Sequence, residues 1–289
     1  MTLVNALPKE ATLEPPKRVE HGTDWLSAVP FIALHLAPLL IFFTGFSLSD
    51  IVLVVALYVV RMFFITAGYH RYFSHRSYRL SRVPQFVMAI GGITAAQKGP
   101  LWWSGHHRRH HRAPDTERDV HSPIDGVWWS HVGWVLSRKY KETDIEAVSD
   151  FARFPELVAV DRLQALGPWV LGILCVVFFG WAGFVAFAIS TVALWHATFA
   201  VNSVAHLVGR RRYETPDTSR NCWPVALLTL GEGWHNNHHH YPPSVRQGHR
   251  WWEVDCTWYG LRAMALLGLA HDLRPVSQKV LTARLVQRR

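Results

Sequence analysis

Apolar positions in this chain come in long unbroken stretches instead of the spaced stripes of a soluble helix. From Leu163 to Val208 there are 46 residues without one Asp, Glu, Lys or Arg. As a single helix this stretch would run roughly 69 Å, about twice what one bilayer crossing needs. The pattern therefore predicts a helical hairpin, broken at Gly180-Trp181-Ala182-Gly183, where glycines and an interfacial tryptophan suit a tight turn. A second hairpin is predicted from about Leu26 to Gly68, with its turn at Thr44-Gly45 and Ser47-Leu48-Ser49-Asp50. The expectation is an all-α integral membrane protein with four spans in two hairpins, at about 27–46, 49–68, 165–182 and 184–205. Arg61 falls inside the second span, where it either snorkels or meets a buried partner.

Charge orients these spans. Of the 30 Lys and Arg residues, 14 lie between Arg71 and Arg162, 12 follow Val208, and neither turn holds any. By the positive-inside rule both termini and the middle segment are expected in the cytoplasm. The basic surface suits anionic lipid, or an anionic substrate head group such as coenzyme A or an acyl-carrier protein. A nucleic-acid partner is not expected, because the basic residues flank spans and no nucleic-acid-binding pattern is present. Residues 1–24 are polar and lack the apolar run of a cleavable signal, so they are expected to form an N-terminal cytoplasmic tail. Cys175, Cys222 and Cys256 are isolated and odd in number, as expected of reduced thiols.

The candidate chemistry lies in the histidines, 18 of them against 3 cysteines. They cluster as His70 and His75; His107, His110 and His111; His206; and His235, His238 and His239, each beyond the cytoplasmic end of a predicted span. Imidazole is a borderline nitrogen ligand for iron, copper, nickel or zinc, and this many exceeds what one ion takes. Spacing i, i+3, i+4 in two clusters aligns the rings along one helix face. The i, i+5 spacing of His70 and His75 is about 140° on an α-helix, so that pair is expected to straddle a helix end. His106 and His240 fall outside the i, i+3, i+4 frame. His35, His131, His196, His249 and His271 read as packed or interfacial side chains.

Four segments together resemble the membrane fatty acyl-CoA desaturases of the stearoyl-CoA type. They are Gly68-Tyr-His-Arg-Tyr-Phe-Ser-His-Arg-Ser-Tyr78, His107-Arg-Arg-His-His111, Asn202-Ser-Val-Ala-His206 and Gly231-Glu-Gly-Trp-His-Asn-Asn-His-His239. The resemblance covers roughly residues 25 to 275, including Ser130-His-Val-Gly-Trp134 and Leu267-Gly-Leu-Ala-His-Asp272, and leaves 276–289 as a basic C-terminal tail. It implies four transmembrane helices under a helical cytoplasmic cap that holds two irons. It implies His70, His75, His107, His110, His111, His206, His235, His238 and His239 as ligands, with Asn202 acting through water. Gln97 and Trp103 match positions at the bend of the acyl tunnel, and Arg138 and Lys139 match a basic pair that contacts coenzyme A. Lys98-Gly-Pro-Leu-Trp102 and Ser104-Gly105-His106 depart from the animal enzymes and replace an Arg-Asp pair at the head group.

Chemistry accounts for these residue types independently. Removing hydrogen from an unactivated methylene calls for a strongly oxidising metal centre fed by O₂ and two electrons, and two irons share the redox change. Asp119, His121 and Glu232 are expected to orient ligating rings. No haem, flavin or iron–sulfur motif occurs in the sequence, so the electrons are expected from a separate partner such as a ferredoxin, a rubredoxin or a b-type cytochrome with its reductase. The expected activity is insertion of a cis double bond, by family default at Δ9, into a saturated acyl chain carried by coenzyme A, an acyl-carrier protein or a lipid. A hydroxylase or alkane-type monooxygenase shares the histidine pattern but leaves oxygen on the product. A non-enzymatic metal or haem carrier would instead place ligands near mid-membrane, where only His35 and His196 are expected.

Overall fold

The computed structural model describes residues 22–287. Most of the predicted N-terminal tail, residues 1–21, and the last two residues lie outside the described part. The chain is mostly helical. Three of its helical segments, Trp25–Thr44, Leu48–Ser74 and Leu166–Leu207, are long and apolar enough to cross a membrane.

The first segment starts as α1 (Trp25–Leu36), tightens through Ala37–Leu40 where Pro38 removes a donor, and ends at Thr44. Gly45 then takes φ 68°, a left-handed conformation suited to glycine. Helix α2 (Leu48–Phe63) opens with a capping box, in which the Ser47 backbone N–H donates to Asp50 at 2.8 Å. The turn thus falls where the sequence placed it. Past Phe63 the helix widens into a π-helix, Phe64–Ser74, whose residues after Phe64 are all buried. Helix α3 (Arg82–Ile93) packs on this widened segment at glycines. A Cβ on Gly92 would sit 2.0 Å from the Tyr69 ring, and one on Gly91 2.4 Å from Phe64. Two further helices, α4 (Pro100–Arg112) and α5 (Pro155–Arg162), are joined by Asp161, which accepts the Leu101 and Trp102 backbone N–H groups, each at 2.9 Å.

The long apolar helix α6 (Leu166–Asn202) is interrupted at Gly180, whose φ of 65° and ψ of −160° are not helical. The chain reverses there. A Cβ on Gly183 would lie 2.4 Å from the Cys175 carbonyl, and one on Gly172 would lie 3.4 Å from the Phe187 ring. Eight- and fifteen-residue separations of that kind make contact only when two antiparallel arms pack together. Arg61 does not snorkel: it is 2 % exposed and ties α2 to the second arm, donating to Thr191 Oγ1 at 2.7 Å and Ser190 Oγ at 2.5 Å. It also reaches the Leu57 and Thr94 carbonyls. The outer faces of the apolar segments stay uncovered, with Phe42, Phe43, Trp169 and Phe178 all exposed.

The remaining elements are short. They include α7 (His235–His240) and α8 (Cys256–Leu266). The strands β1 (Arg79–Leu80) and β2 (Ala270–His271) pair antiparallel, Arg79 opposite His271, and clip the segment after α8 to the segment after the π-helix.

Candidate metal centre

Nine histidines from four elements converge in two groups. His70, His75, His107, His111 and His238 form one, His110, His206, His235 and His239 the other, and within each group the available nitrogens lie within 4.8 Å of one another. His70 and His75 belong together because of the π-helix. The His75 N–H donates to the His70 carbonyl five residues back, at 3.2 Å, which places the two rings one turn apart with centroids 4.8 Å from each other. His75 caps the end of that helix, so the pair straddles a helix end as its spacing suggested.

The i, i+3, i+4 triads do something the spacing alone did not reveal. On α4, His107 and His111 face the five-histidine group while His110 faces the other. On α7, His235 and His239 face the four-histidine group while His238 crosses to the first. Residue i+3 is rotated about 60° from the i, i+4 line on an α-helix. The two triads thus interlock, each helix giving two rings to one group and one to its neighbour.

The rings are oriented by carboxylates behind them. His110 Nδ1 donates to Asp119 at 2.9 Å, His239 Nδ1 to Asp217 at 2.9 Å and His206 Nδ1 to Asp115 at 3.3 Å. The His70 Nδ1 donates to Glu232, which also holds the buried Arg71 guanidinium at 3.0 Å, and Arg71 in turn pairs with Asp255 at 2.9 Å. Gln247 places its side-chain amide 3.3 Å from His70 Nδ1 and 3.5 Å from His238 Nδ1. Asp119 and Glu232 were expected in this role. The His121 ring lies tilted against His110 with centroids 4.3 Å apart, and its Nδ1 lies 3.9 Å from Asp119. Asp115, Asp217 and Gln247 escaped the sequence reading, although Pro114-Asp115 and Pro216-Asp217 are turn signals of the kind that presents a carboxylate from a loop.

With Nδ1 as the donor, each of these rings turns an unprotonated Nε2 inward. The Nε2 atoms then meet in pairs: His70 with His238 at 3.1 Å, His206 with His235 at 3.0 Å and His110 with His239 at 3.4 Å. Between His110 and His239, whose Nδ1 atoms both donate to carboxylates, two lone pairs face each other, and a cation between them satisfies both, so the donor set there fits bound metal. Burial holds His75, His107, His111, His235 and His238 well below the ordinary imidazole value, and neighbouring rings add to it. Burial brings His239 to about 4 against the opposing pull of Asp217. These six rings are held in the neutral form, the one that can bind a metal. Burial alone would raise the Asp115 carboxyl, but its hydrogen bonds to His206 and Thr218 outweigh this and hold it at about 2. Asp119 and Asp217 are likewise held below the usual carboxylate range by their histidines, against burial.

The two asparagines between the α7 histidines point the other way. Asn236 Oδ1 accepts the Arg212 and Tyr213 backbone N–H groups at 2.7 and 2.8 Å, and Asn237 binds Asn221 and Glu253. They fix the helix so that its histidine face is presented. His106 and His240 stand outside both groups: His106 Nε2 bonds the Glu142 carbonyl at 3.2 Å, and His240 stacks on Tyr213 at 3.9 Å.

Gln97, Trp103, Asn202 and His107 share one cavity with Thr198, Phe199, His121 and Trp134. Trp103 stacks on His107 with centroids 4.9 Å apart and donates to Gln97 at 3.3 Å, and Gln97 donates to Thr198 at 2.7 Å. Arg138 and Lys139 sit instead on an exposed turn, where Arg138 bonds the Thr23 carbonyl at 2.9 Å and Lys139 lies over the Tyr140 ring.

Apolar helices long enough to cross a membrane, ending in two adjoining groups of histidine rings, describe a membrane-associated protein with two candidate metal sites side by side. The comparisons narrow this class. Residues 25–273 match the fatty acid desaturase family, and the chain belongs to it. It is 36% identical over 261 residues to an sn-1 stearoyl-lipid 9-desaturase of Anabaena variabilis, covering 89% of this chain and 96% of the relative. It is 39% identical to a protein of the same name from Synechocystis, covering 86% and 80%. It is 38% identical to an acyl-CoA 5-desaturase of Anemone leveillei, covering 90% and 83%.

Proposed function

We propose that this protein is a four-span membrane desaturase that introduces a cis double bond, at Δ9, into a saturated acyl chain with O₂ and two electrons from a separate redox protein. The observation that carries the reading is the five-plus-four grouping of nine inward-facing imidazoles, which suits two irons held by His70, His75, His107, His111 and His238, and by His110, His206, His235 and His239. Asn202, in the cavity, is proposed to act on the second through water. Two bound irons supply the oxidising power to take hydrogen from an unactivated methylene. The chain's own residues do the rest. Asp115, Asp119, Asp217 and Glu232 hold the rings in one tautomer. Trp103, Gln97 and Thr198 form a hydrogen-bonded wall beside His107 that would bend the acyl chain and bring two neighbouring methylenes to the metals.

In this reading residues 25–275 form the desaturase domain between two tails. Trp25–Thr44, the α2 segment and the two arms of α6 cross the bilayer, and the histidine end with both termini faces the cytoplasm. That orientation rests on the placement of Lys and Arg. The acyl carrier is proposed to be coenzyme A, with Arg138 and Lys139 at its head group. A lipid-bound chain is the second reading, favoured by the names of the two cyanobacterial relatives. The electron donor is proposed to be a ferredoxin, a rubredoxin or a b-type cytochrome.

The test feeds labelled palmitate and stearate to cells expressing the chain, and locates new double bonds by mass spectrometry separately in the acyl-CoA and lipid pools. A Δ9 product absent from His107→Ala cells is expected. Unsaturation equal to wild type in those cells would sink the ligand assignment, and a product carrying added oxygen would establish a hydroxylase instead.

A further inference from the structure

A second cavity, of about 330 Å³, shares no lining residue with the one beside His107. Its volume falls within the roughly 300–1,000 Å³ of small-molecule pockets. Three pieces of chain form it: the loop 245–249 after α7, the face of α8 that carries Trp258 and Arg262, and the C-terminal segment from Leu273 to Leu281. Arg246, His249, Trp258 and Arg262 make one side of it, and Leu273, Pro275, Val276 and Leu281 make the other side apolar. Among the described residues no carboxylate lines it.

Two guanidiniums are held against one ring here. The Arg246 guanidinium carbon lies 4.4 Å from the Trp258 ring centroid and that of Arg262 lies 5.1 Å from it. Such a contact fixes a cation in place without using up its N–H donors. Among the described residues neither side chain has a carboxylate partner, and the acids nearest in sequence are engaged elsewhere, Glu253 with Arg212 and Asp255 with Arg71. Arg246 donates through Nη2 to the Arg250 carbonyl at 3.0 Å, but its Nε is buried with no hydrogen-bond partner. His249 is in the same position, for its Nδ1 meets the Tyr213 hydroxyl at 3.0 Å while its Nε2 is buried and unpartnered. When Nδ1 accepts the Tyr213 O–H, Nε2 carries the ring proton and is a donor. Like charges on one ring repel, and a buried donor left without an acceptor is costly. A single oxyanion in the cavity relieves both.

We propose that this cavity binds a phosphate group, held by Arg246, Arg262 and His249 beside Trp258. Guanidinium forks match phosphate oxygens bidentately. The phosphate can come from a phospholipid head group or from solution, and two observations favour the lipid. Leu273, Pro275, Val276 and Leu281 offer nothing to an inorganic ion but suit the glycerol and first methylenes of a lipid. Helix α8 also stands at head-group level. A Cβ on its Gly260 would lie 2.5 Å from the Phe63 ring, and its Thr257 Oγ1 meets Thr66 Oγ1 at 2.8 Å. Phe63 is roughly 23 Å along α2 from Leu48, near the end of a hydrocarbon core of about 30 Å. Leu266 and Leu267, where α8 ends, are 85 % and 74 % exposed, as side chains that meet lipid would be. The site does not depend on which reaction runs at the histidines. A bound phosphate ties the loop to α8 and the C-terminal segment, and the same loop backs the five-histidine group, through the Val245 carbonyl on Arg71 at 2.7 Å and the Gln247 amide near His70.

The test uses full-length protein, stripped of lipid in detergent and moved into nanodiscs of phosphatidylcholine with or without phosphatidylglycerol. Phosphatidylglycerol should raise Tm by on the order of a few degrees. Arg246→Gln and Arg262→Gln should each weaken its binding about tenfold or more, whereas Arg153→Gln, an exposed charge outside the cavity, should leave it as in wild type. Inorganic phosphate, added in detergent against chloride of equal ionic strength, probes the other source. A preference for phosphatidylglycerol that the two cavity variants lose assigns the site to lipid. A rise in Tm with inorganic phosphate that the same variants lose, with no such lipid preference, assigns it to free phosphate. No rise in wild type with either probe would overturn the proposal, as would a rise kept in both cavity variants or one lost equally in Arg153→Gln. Because Arg262 is exposed, Arg262→Gln decides the matter should Arg246→Gln fail to fold.

Discussion

Replacing Asp217 by Asn should strip one metal and spare the other. Asp217 is buried, accepts from His239 Nδ1 at 2.9 Å, and is itself held by the Ser219 N–H at 2.9 Å and Thr215 Oγ1 at 3.1 Å. Asn keeps the shape and an acceptor oxygen but loses the charge. A hydrogen bond to a charged acceptor contributes about 1.5–3 kcal/mol and one to a neutral acceptor about 1 kcal/mol. The loss of about 0.5–2 kcal/mol corresponds to roughly a 2–30-fold weaker site, overlapping the 10–100-fold typical of residues that orient a metal ligand. Because Asp217, Asp115 and Asp119 all serve the four-histidine group while Glu232 and Gln247 serve the other, the effect should fall on one ion. The assay is iron content per chain against increasing chelator. Wild type should release its two irons together, whereas Asp217→Asn, and in parallel Asp119→Asn, should show a plateau at one. Two irons lost in step from the variant, or a titration superimposable on wild type, would refute the division of the carboxylates between the groups.

Arg61→Met should leave thermal unfolding in detergent within about 1 kcal/mol of wild type, because Ser190 and Thr191 also bond the Ala186 and Phe187 carbonyls and are not orphaned. Arg61→Ala, which opens a cavity, should cost about 2–4 kcal/mol; equal losses in both would show that the charge itself matters. Gly233→Ala would drive a Cβ to 2.1 Å from the Ala226 backbone nitrogen and should cost about 2–3 kcal/mol or more, read as low yield of folded protein. His106 and His249 are each lowered to about 4, first by burial. Their folded values lie below the ordinary 6.5, so the stability they contribute is complete above pH 6.5 and is lost as the pH falls toward 4. Metal-free protein should thus lose on the order of a few kcal/mol per ring across that window, and His249→Gln should flatten the dependence; an unchanged slope would count against it.

Much of the site could be read before the fold was known, and the residues show why. The clustered histidines announced themselves through helical spacing, since a face is a local property of sequence. The turns at Gly45 and Gly180 were legible because glycine and capping residues encode backbone geometry within a few positions. How the triads divide between two groups was not legible, because it depends on the packing of α4 against α7. Asp115 and Asp217 escaped for the same reason: they come from loops, and only tertiary structure carries a loop carboxylate behind a particular ring. His35, His131 and His196 read in the sequence as packed or interfacial side chains, and the structure links them by hydrogen bonds at 2.9 Å. Those contacts run across three elements, which no spacing records.

The wide turn that pairs His70 with His75 also sets what this segment tolerates in evolution. Between Phe64 and Ser74 side chains other than His70 and Arg71 are free to vary as far as packing permits, but the number of residues between the two histidines is not. Removing one would let the backbone return to ordinary winding and swing His75 through about 100°, out of the group it completes. Length is the inherited quantity here, and insertions or deletions of a single codon are expected to be far more damaging than any conservative substitution.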